Sequence, residues 1–201
     1  MTRSSELIEK MEAALATPGA ASSDFDLNPD TVLPEGRKLR DAAVLILISD
    51  LGELPTVTLT KRASGLKHHP GQIAFPGGKR DESDTSLEAT ALREAREEIG
   101  LPDGAARIFG ALPPHETVTG FNVTPFVAEL TKGFTPRAEI GEVAEVFDVP
   151  LTHVLNQDNF AIEGRRWRGA RRYYYVAPYG PYYIWGATAR MLRALADRLE
   201  T

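Results

Sequence analysis

The stretch from Thr85 to Ile99 constrains this chain most, because its pattern reads only as a helix with one side against a core. It opens on "TSLE", where Thr85 can cap the first turn and Glu88 can reach back to it. Gly100 suits a left-handed C-terminal cap, and Pro102 prevents continuation. At about 100° per residue, Leu92, Ala95 and Ile99 form an apolar stripe. Glu94, Glu97 and Glu98 crowd along one border of it, and Arg93 and Arg96 fall on the far side. Like charges at i,i+3 and i,i+4 repel. Carboxylates at a core boundary therefore need cations or hydrogen bonds.

The helix does not stand alone. "SSELIEKMEAALA", Ser4 to Ala16, is amphipathic, with Leu7, Ile8, Met11 and Leu15 on one side, and "TPGAASSDFDLNPD" breaks it as a loop. "AAVLILI", Ala42 to Ile48, reads as a buried strand, and Thr56 to Arg62 as an alternating one joined to it by a hairpin connection. "QIAF" is a short strand leading into a Pro76-Gly77-Gly78 turn. "ARIFGAL", "VTPFVAEL", "RRYYYV" and "YYIWG" read as further strands, and "IGEVAEVFDVP" as either strand or short helix. "TARMLRALADRL" closes the pattern as a helix, with Met191, Leu192, Leu195 and Leu199 on one face. Strands and helices without regular alternation predict an α+β fold, a mixed sheet flanked by helices.

Composition excludes several classes. No cysteine is present, so neither a disulfide framework nor a thiolate metal site is available. Met1 to Ala16 carries Glu6, Glu9, Lys10 and Glu12 in place of an apolar run, and Ala42 to Ile48 is far too short to span a bilayer. A soluble cytoplasmic protein with no membrane contact is expected. A formal net charge of −5 argues against a broad nucleic-acid surface, though not against a local basic pocket. "RRWRGARR", Arg165 to Arg172, holds five arginines and reads as an exposed hairpin or a homodimer contact.

Hard divalent cations meet the need of clustered carboxylates. Mg²⁺ takes oxygen ligands, keeps several waters and is often shared with substrate phosphates. Gly77 and Gly78, just before the helix, permit close backbone approach. Taken singly, however, an acidic helix side reads as a solvated face, and a Pro-Gly-Gly as a turn.

The combined string alters that balance. "GGKRDESDTSLEATALREAREEIGL", Gly77 to Leu101, resembles the Nudix box, whose core is here Arg93-Glu94-Ala95-Arg96-Glu97-Glu98-Ile99-Gly100-Leu101. One departure stands out. The loop after Gly78 is one residue longer than the general pattern, and the place of the box's first glutamate is taken at best by Asp84. "LTKRASGLKHHPGQIAFPGGKRDESD", Leu59 to Asp84, resembles the coenzyme A diphosphatases of that family, as do "TGFNVTPFVAEL", "EVFDVPLTHVL" and "YYIWGATARML". The first forty residues carry no such likeness. The resemblance implies a Nudix-type mixed β-sheet sandwiched between α-helices over residues 39–201, with residues 1–38 as an N-terminal helix and linker.

The resemblance also implies a chemistry. Glu94, Glu97 and Glu98 would ligate Mg²⁺ or Mn²⁺, and Arg93 would orient the glutamates. The diphosphate of coenzyme A, and of its thioesters, would be cut to 3′-phosphoadenosine 5′-phosphate and 4′-phosphopantetheine. Arg62 and His69 match the subfamily stretch and rank first for the 3′-phosphate. Lys61, Lys67 and His68 stand beside them, and Gly77 and Gly78 shape the entrance. The general base stays open between Glu94 and the later Glu116, Glu142 and Glu145. ADP-ribose, NADH or an oxidised nucleotide are alternative small-molecule substrates, and a ligand sensor without turnover is an alternative of another class. An attached Asp84, just before the helix, is expected to anchor the loop rather than ligate metal.

Overall fold

The computed structural model describes residues 3–66, 69–167 and 169–200. At its centre lies β2, Arg40–Ser49, which is apolar on both faces because both are covered. Ala43, Leu45 and Leu47 point to one layer, while Ala42, Ile46 and Ile48 point to the other. β2 runs antiparallel to β3, Thr56–Arg62, through the expected hairpin. It runs parallel to β8, Phe121–Leu130, along almost its whole length. β9, Val143–Pro150, settles the ambiguous segment as a strand paired with β3. β6, Ala106–Ala111, pairs with β8 on the other side.

The layers on the two faces differ. Helix α2, Leu87–Ile99, covers one face, burying Ala91, Ala95 and Ile99 against Leu45, Leu47 and Ala128. The other face carries α1, Arg3–Ala16, the short α3, Leu151–Leu155, and α4, Gly186–Leu199. There Ile8, Met11 and Leu15 join Leu192, Leu195, Val57 and Leu59 in one apolar cluster. Arg198 donates from Nη1 to the carbonyls of Ala14 and Thr17, capping the end of α1 with a cation. The result is a mixed sheet between helices, as expected. Among the described residues no helix is long and apolar enough to cross a membrane.

Several short elements depart from the sequence reading. Ser22–Ser23 form β1 inside the segment expected to be a plain loop, pairing in parallel with β7, His115–Glu116. Beyond it, Ser22 Oγ lies 2.9 Å from His115 Nδ1, and Asp24 Oδ1 lies 3.1 Å from His115 Nε2. Asn28 then donates to Tyr173 O at 2.9 Å and accepts from Tyr173 N–H at 2.9 Å. Pro76-Gly77-Gly78 is no turn: Gly77–Lys79 make a short strand, β5, against Ala42–Val44, while Ile73–Ala74 make β4 on β3. Thr85 does not cap α2. Ser86 does, accepting from Ala89 N–H at 3.1 Å, which leaves no acid at the box position. Gly100 closes the helix in the left-handed region at φ 71°, as its residue type predicts. "YYIWG" forms only isolated bridges, Tyr179 with Tyr182 and Val176 with Trp185. The arginine run is an exposed hairpin of β10, Ala161–Trp167, and β11, Ala170–Val176.

Candidate active site

The site is assembled where β5 passes the second half of α2. Asp84, nearly buried in the linking loop, accepts from Asp81 N–H at 2.9 Å and from the Thr90 hydroxyl at 2.9 Å. Arg93 grips it as a fork, Nε to Oδ1 at 2.9 Å and Nη2 to Oδ2 at 3.1 Å. That guanidinium holds the Asp84 carboxyl well below the usual carboxylate range, with the Asp81 N–H and the Thr90 hydroxyl assisting against burial. Asp84 thus ties loop to helix through the Thr90 hydroxyl and the Arg93 guanidinium.

Arg93 reaches further. Its Nη1 donates to Glu97 Oε2 at 2.9 Å, and its Nη2 lies 3.0 Å from Glu94 Oε1 and 3.2 Å from Lys79 O. The helical wheel places Arg93 on the far side, yet its guanidinium lies on the acidic border. The long side chain bends back along the helix surface toward its acidic border. Arg96 stays outside, paired with Asp103 at 2.9 Å.

Glu98 is the most enclosed of the three glutamates, 4% exposed, and accepts from Gly77 N–H at 3.0 Å. Burial pushes its carboxyl up to about 7, against the pull of that N–H. The Glu94 and Glu142 charges add to the rise, and Arg62 opposes it. Burial likewise raises Glu94, with Arg93 opposing and Glu97 and Glu142 adding. The two glycines are needed for different reasons. A Cβ on Gly78 would stand 2.6 Å from the Glu94 carboxylate. On Gly77, at φ 153°, it would stand 2.4 Å from Ala43 O and 2.6 Å from Val44 Cα.

The donor set suits a hard divalent cation. Glu94 and Glu98 are enclosed carboxylates whose charged forms are penalised by burial, and the side chain of Glu97, one turn from Glu94, is 55% exposed. Among the described residues no three such groups already converge on one point. Glu97 faces Arg93 and Glu98 faces Gly77 instead. The Nε of Arg62 is buried without a hydrogen-bond partner, on the same side as Glu98.

The other residues singled out from sequence divide clearly. Lys61 and His69 line a cavity of about 420 Å³, together with Gln72, Tyr182, Tyr183 and Trp185. His69 adopts a positive φ of 55° there, and Lys67 and His68 lie outside the described residues. Trp185 is half-buried and edge-on to Tyr174. Of the later glutamates, Glu116 pairs with Arg37 and Glu145 accepts from the Tyr182 hydroxyl. Glu142 is the one whose charge acts on both Glu94 and Glu98. Arg190 holds Asp26 at 3.3 Å, a structural tie. Tyr182 and Tyr183 were not singled out from sequence, although the aromatic cluster "YYIW" was their signal.

The NUDIX domain model matches residues 38–168. The chain is 44% identical over 157 residues to an uncharacterized Nudix hydrolase, NudL, of Enterobacter sp. (strain 638), covering 78% of this chain and 81% of that protein. It is 39% identical over 186 residues to the NudL protein of Salmonella newport (strain SL254), covering 92% and 96% respectively. The NUDIX domain of Shewanella oneidensis NrtR, solved in complex with ADP ribose, has a TM-score of 0.52 over 99% of both chains at 17% identity, a likeness of fold.

Proposed function

Since the chain belongs to the Nudix family and is a hydrolase of phosphoanhydride bonds, we propose that its substrate is coenzyme A, cut at the diphosphate to 3′-phosphoadenosine 5′-phosphate and 4′-phosphopantetheine. The observation that carries this reading is Arg62. Its buried, unpartnered Nε lies beside the enclosed glutamates, in the stretch whose sequence resembles coenzyme A diphosphatases. A buried guanidinium N–H left unpaired costs free energy, and a phosphate oxygen would satisfy it.

Nudix hydrolases generally use divalent cations. Here Glu94, Glu97 and Glu98 would hold Mg²⁺ or Mn²⁺. Such an ion, when bound, neutralises phosphate charge and lowers the pKa of a water. The chain's own residues do the positioning. Gly77 N–H fixes Glu98, and Arg93, itself anchored on Asp84, fixes Glu97 and Glu94. Arg62, beside Glu98, would receive the diphosphate and stabilise charge developing on the leaving group. Glu142, rather than Glu116 or Glu145, is the later glutamate placed to take a proton near Glu94 and Glu98.

The test is purified protein with Mg²⁺ or Mn²⁺ and coenzyme A, acetyl-coenzyme A, ADP-ribose and NADH in parallel, with products identified by mass. Coenzyme A should give the highest kcat/KM. Preference for ADP-ribose or NADH by tenfold or more would overturn the substrate assignment.

A further inference from the structure

The cavity at the end of β3 has walls that are fixed from behind. Tyr182 stacks on Phe147 with ring centroids 3.6 Å apart and an interplanar angle of 7°, and its hydroxyl donates to Glu145 at 2.5 Å. The Tyr183 hydroxyl donates to Glu163 at 2.6 Å. Trp185 is held edge-on by Tyr174 at 5.2 Å. Rings already immobilised lose little freedom when a flat ligand lies against them.

The cation in this cavity is left over. Lys61 stands directly opposite Glu145 in the β3–β9 register, the position of a cross-strand ion pair. Glu145 is engaged by the Tyr182 hydroxyl, and among the described residues Lys61 makes no ion pair. The next residue, Arg62, acts on the other side, on Glu98. The β3–β9 register shifts between Lys61 and Arg62, so regular alternation does not carry over from one to the other. Their separate surroundings do the distinguishing: Arg62 acts on the carboxylates and Lys61 lines the aromatic chamber.

We propose that this chamber is a second subsite, taking the purine ring of the substrate against Tyr182, Tyr183 and Trp185, with Lys61 as the partner of a ribose phosphate separate from the scissile diphosphate. The inference rests on the coenzyme A reading and refines it. Lys61 recognises the 3′-phosphate, and Arg62 serves the diphosphate. Residues 61 and 62 then set specificity and turnover separately, although they are adjacent in the chain.

Binding without turnover tests this independently of the substrate assignment. The full chain, without metal, is titrated with 3′-phosphoadenosine 5′-phosphate and with 5′-AMP, read by calorimetry and by tryptophan fluorescence. The bisphosphate should bind roughly tenfold or more tightly than 5′-AMP, the size of one charge-assisted contact. Lys61→Gln should bring that ratio near one with little change for 5′-AMP, and Arg62→Ala should weaken both nucleotides alike. Trp185→Phe should abolish the fluorescence response. A ratio kept by Lys61→Gln, a ratio lost in Arg62→Ala, or a response that survives Trp185→Phe would each overturn the subsite. So would absence of nucleotide binding in a protein that hydrolyses coenzyme A, which leaves the substrate assignment standing. Tight bisphosphate binding without coenzyme A hydrolysis would sink the substrate assignment and keep the subsite.

Discussion

Glu98 shows how one buried carboxylate links stability to pH. Its folded value, about 7, lies above its ordinary 4.5, so the folded state holds its proton more tightly than the unfolded chain does. Its contribution is therefore complete below about pH 4.5 and is lost as pH rises to about 7, on the order of 3 kcal/mol at most. Asp84 behaves in the opposite sense. Its depressed carboxyl contributes above its ordinary 3.8 and loses that contribution only as pH falls below it. The two windows do not overlap. Glu98→Gln should abolish metal-dependent turnover while still accepting the Gly77 N–H. In metal-free urea unfolding, the variant should gain on the wild type between pH 5 and pH 8. An unchanged difference between the two proteins across that range would refute the assignment. Arg93 marks the limit of reading such residues from sequence. A helical wheel tells where a Cα points, not where a flexible side chain ends, so the grip of Arg93 on Glu94 and Glu97 was legible only through the family resemblance, and its grip on Asp84 not at all.

At the level of elements, β5 and the start of α2 separate structural from chemical roles. Gly77→Ala forces a Cβ into the backbone of Ala43 and Val44, which cannot move aside, and should cost roughly 3 kcal/mol in stability. Gly78→Ala meets only the Glu94 carboxylate, which can swing away. It should fold nearly as the wild type does and lose tenfold or more in kcat, as measured by thermal melts and coenzyme A hydrolysis side by side. Ser86→Ala should lower stability by about 1 kcal/mol, and Thr85→Ala should have little effect, reversing what the "TSLE" pattern suggested. That reversal shows what was legible. β2, β3, α2 and α4 carry enough periodic apolar residues to declare themselves. β1, β4, β5 and β7 have two or three residues each and exist because of partners elsewhere, as Ser22 does through His115. "YYIWG" has the composition of a strand, yet it spends its aromatic rings on the cavity and turns at Gly186, φ 63°. The acidic border of α2 was readable in place, whereas the cavity draws on Lys61, residues 69–73, residues 181–183 and Trp185, which no local pattern connects.

Across the whole molecule, α1 is part of the core rather than an ornament on it. Ile8, Met11 and Leu15 are buried among residues of the sheet and α4. Three such side chains contribute roughly 1.5–3 kcal/mol each, so deleting residues 1–16 should lower the melting temperature by roughly 10 °C or more. A deletion variant that melts with the full chain would show that α1 packs without stabilising. The same arrangement has a consequence for the order in which the molecule can be built. During synthesis α1 is made long before α4, and Asn28 long before Tyr173, well over a hundred residues apart. Part of the apolar face of α1 meets β6, where Leu15 closes on Gly110, but its contact with Leu192 and Leu195 comes only with α4. Apolar surface left open in an incompletely folded chain makes it prone to aggregate. α1 therefore reaches its full burial only after every residue of the active site has been made.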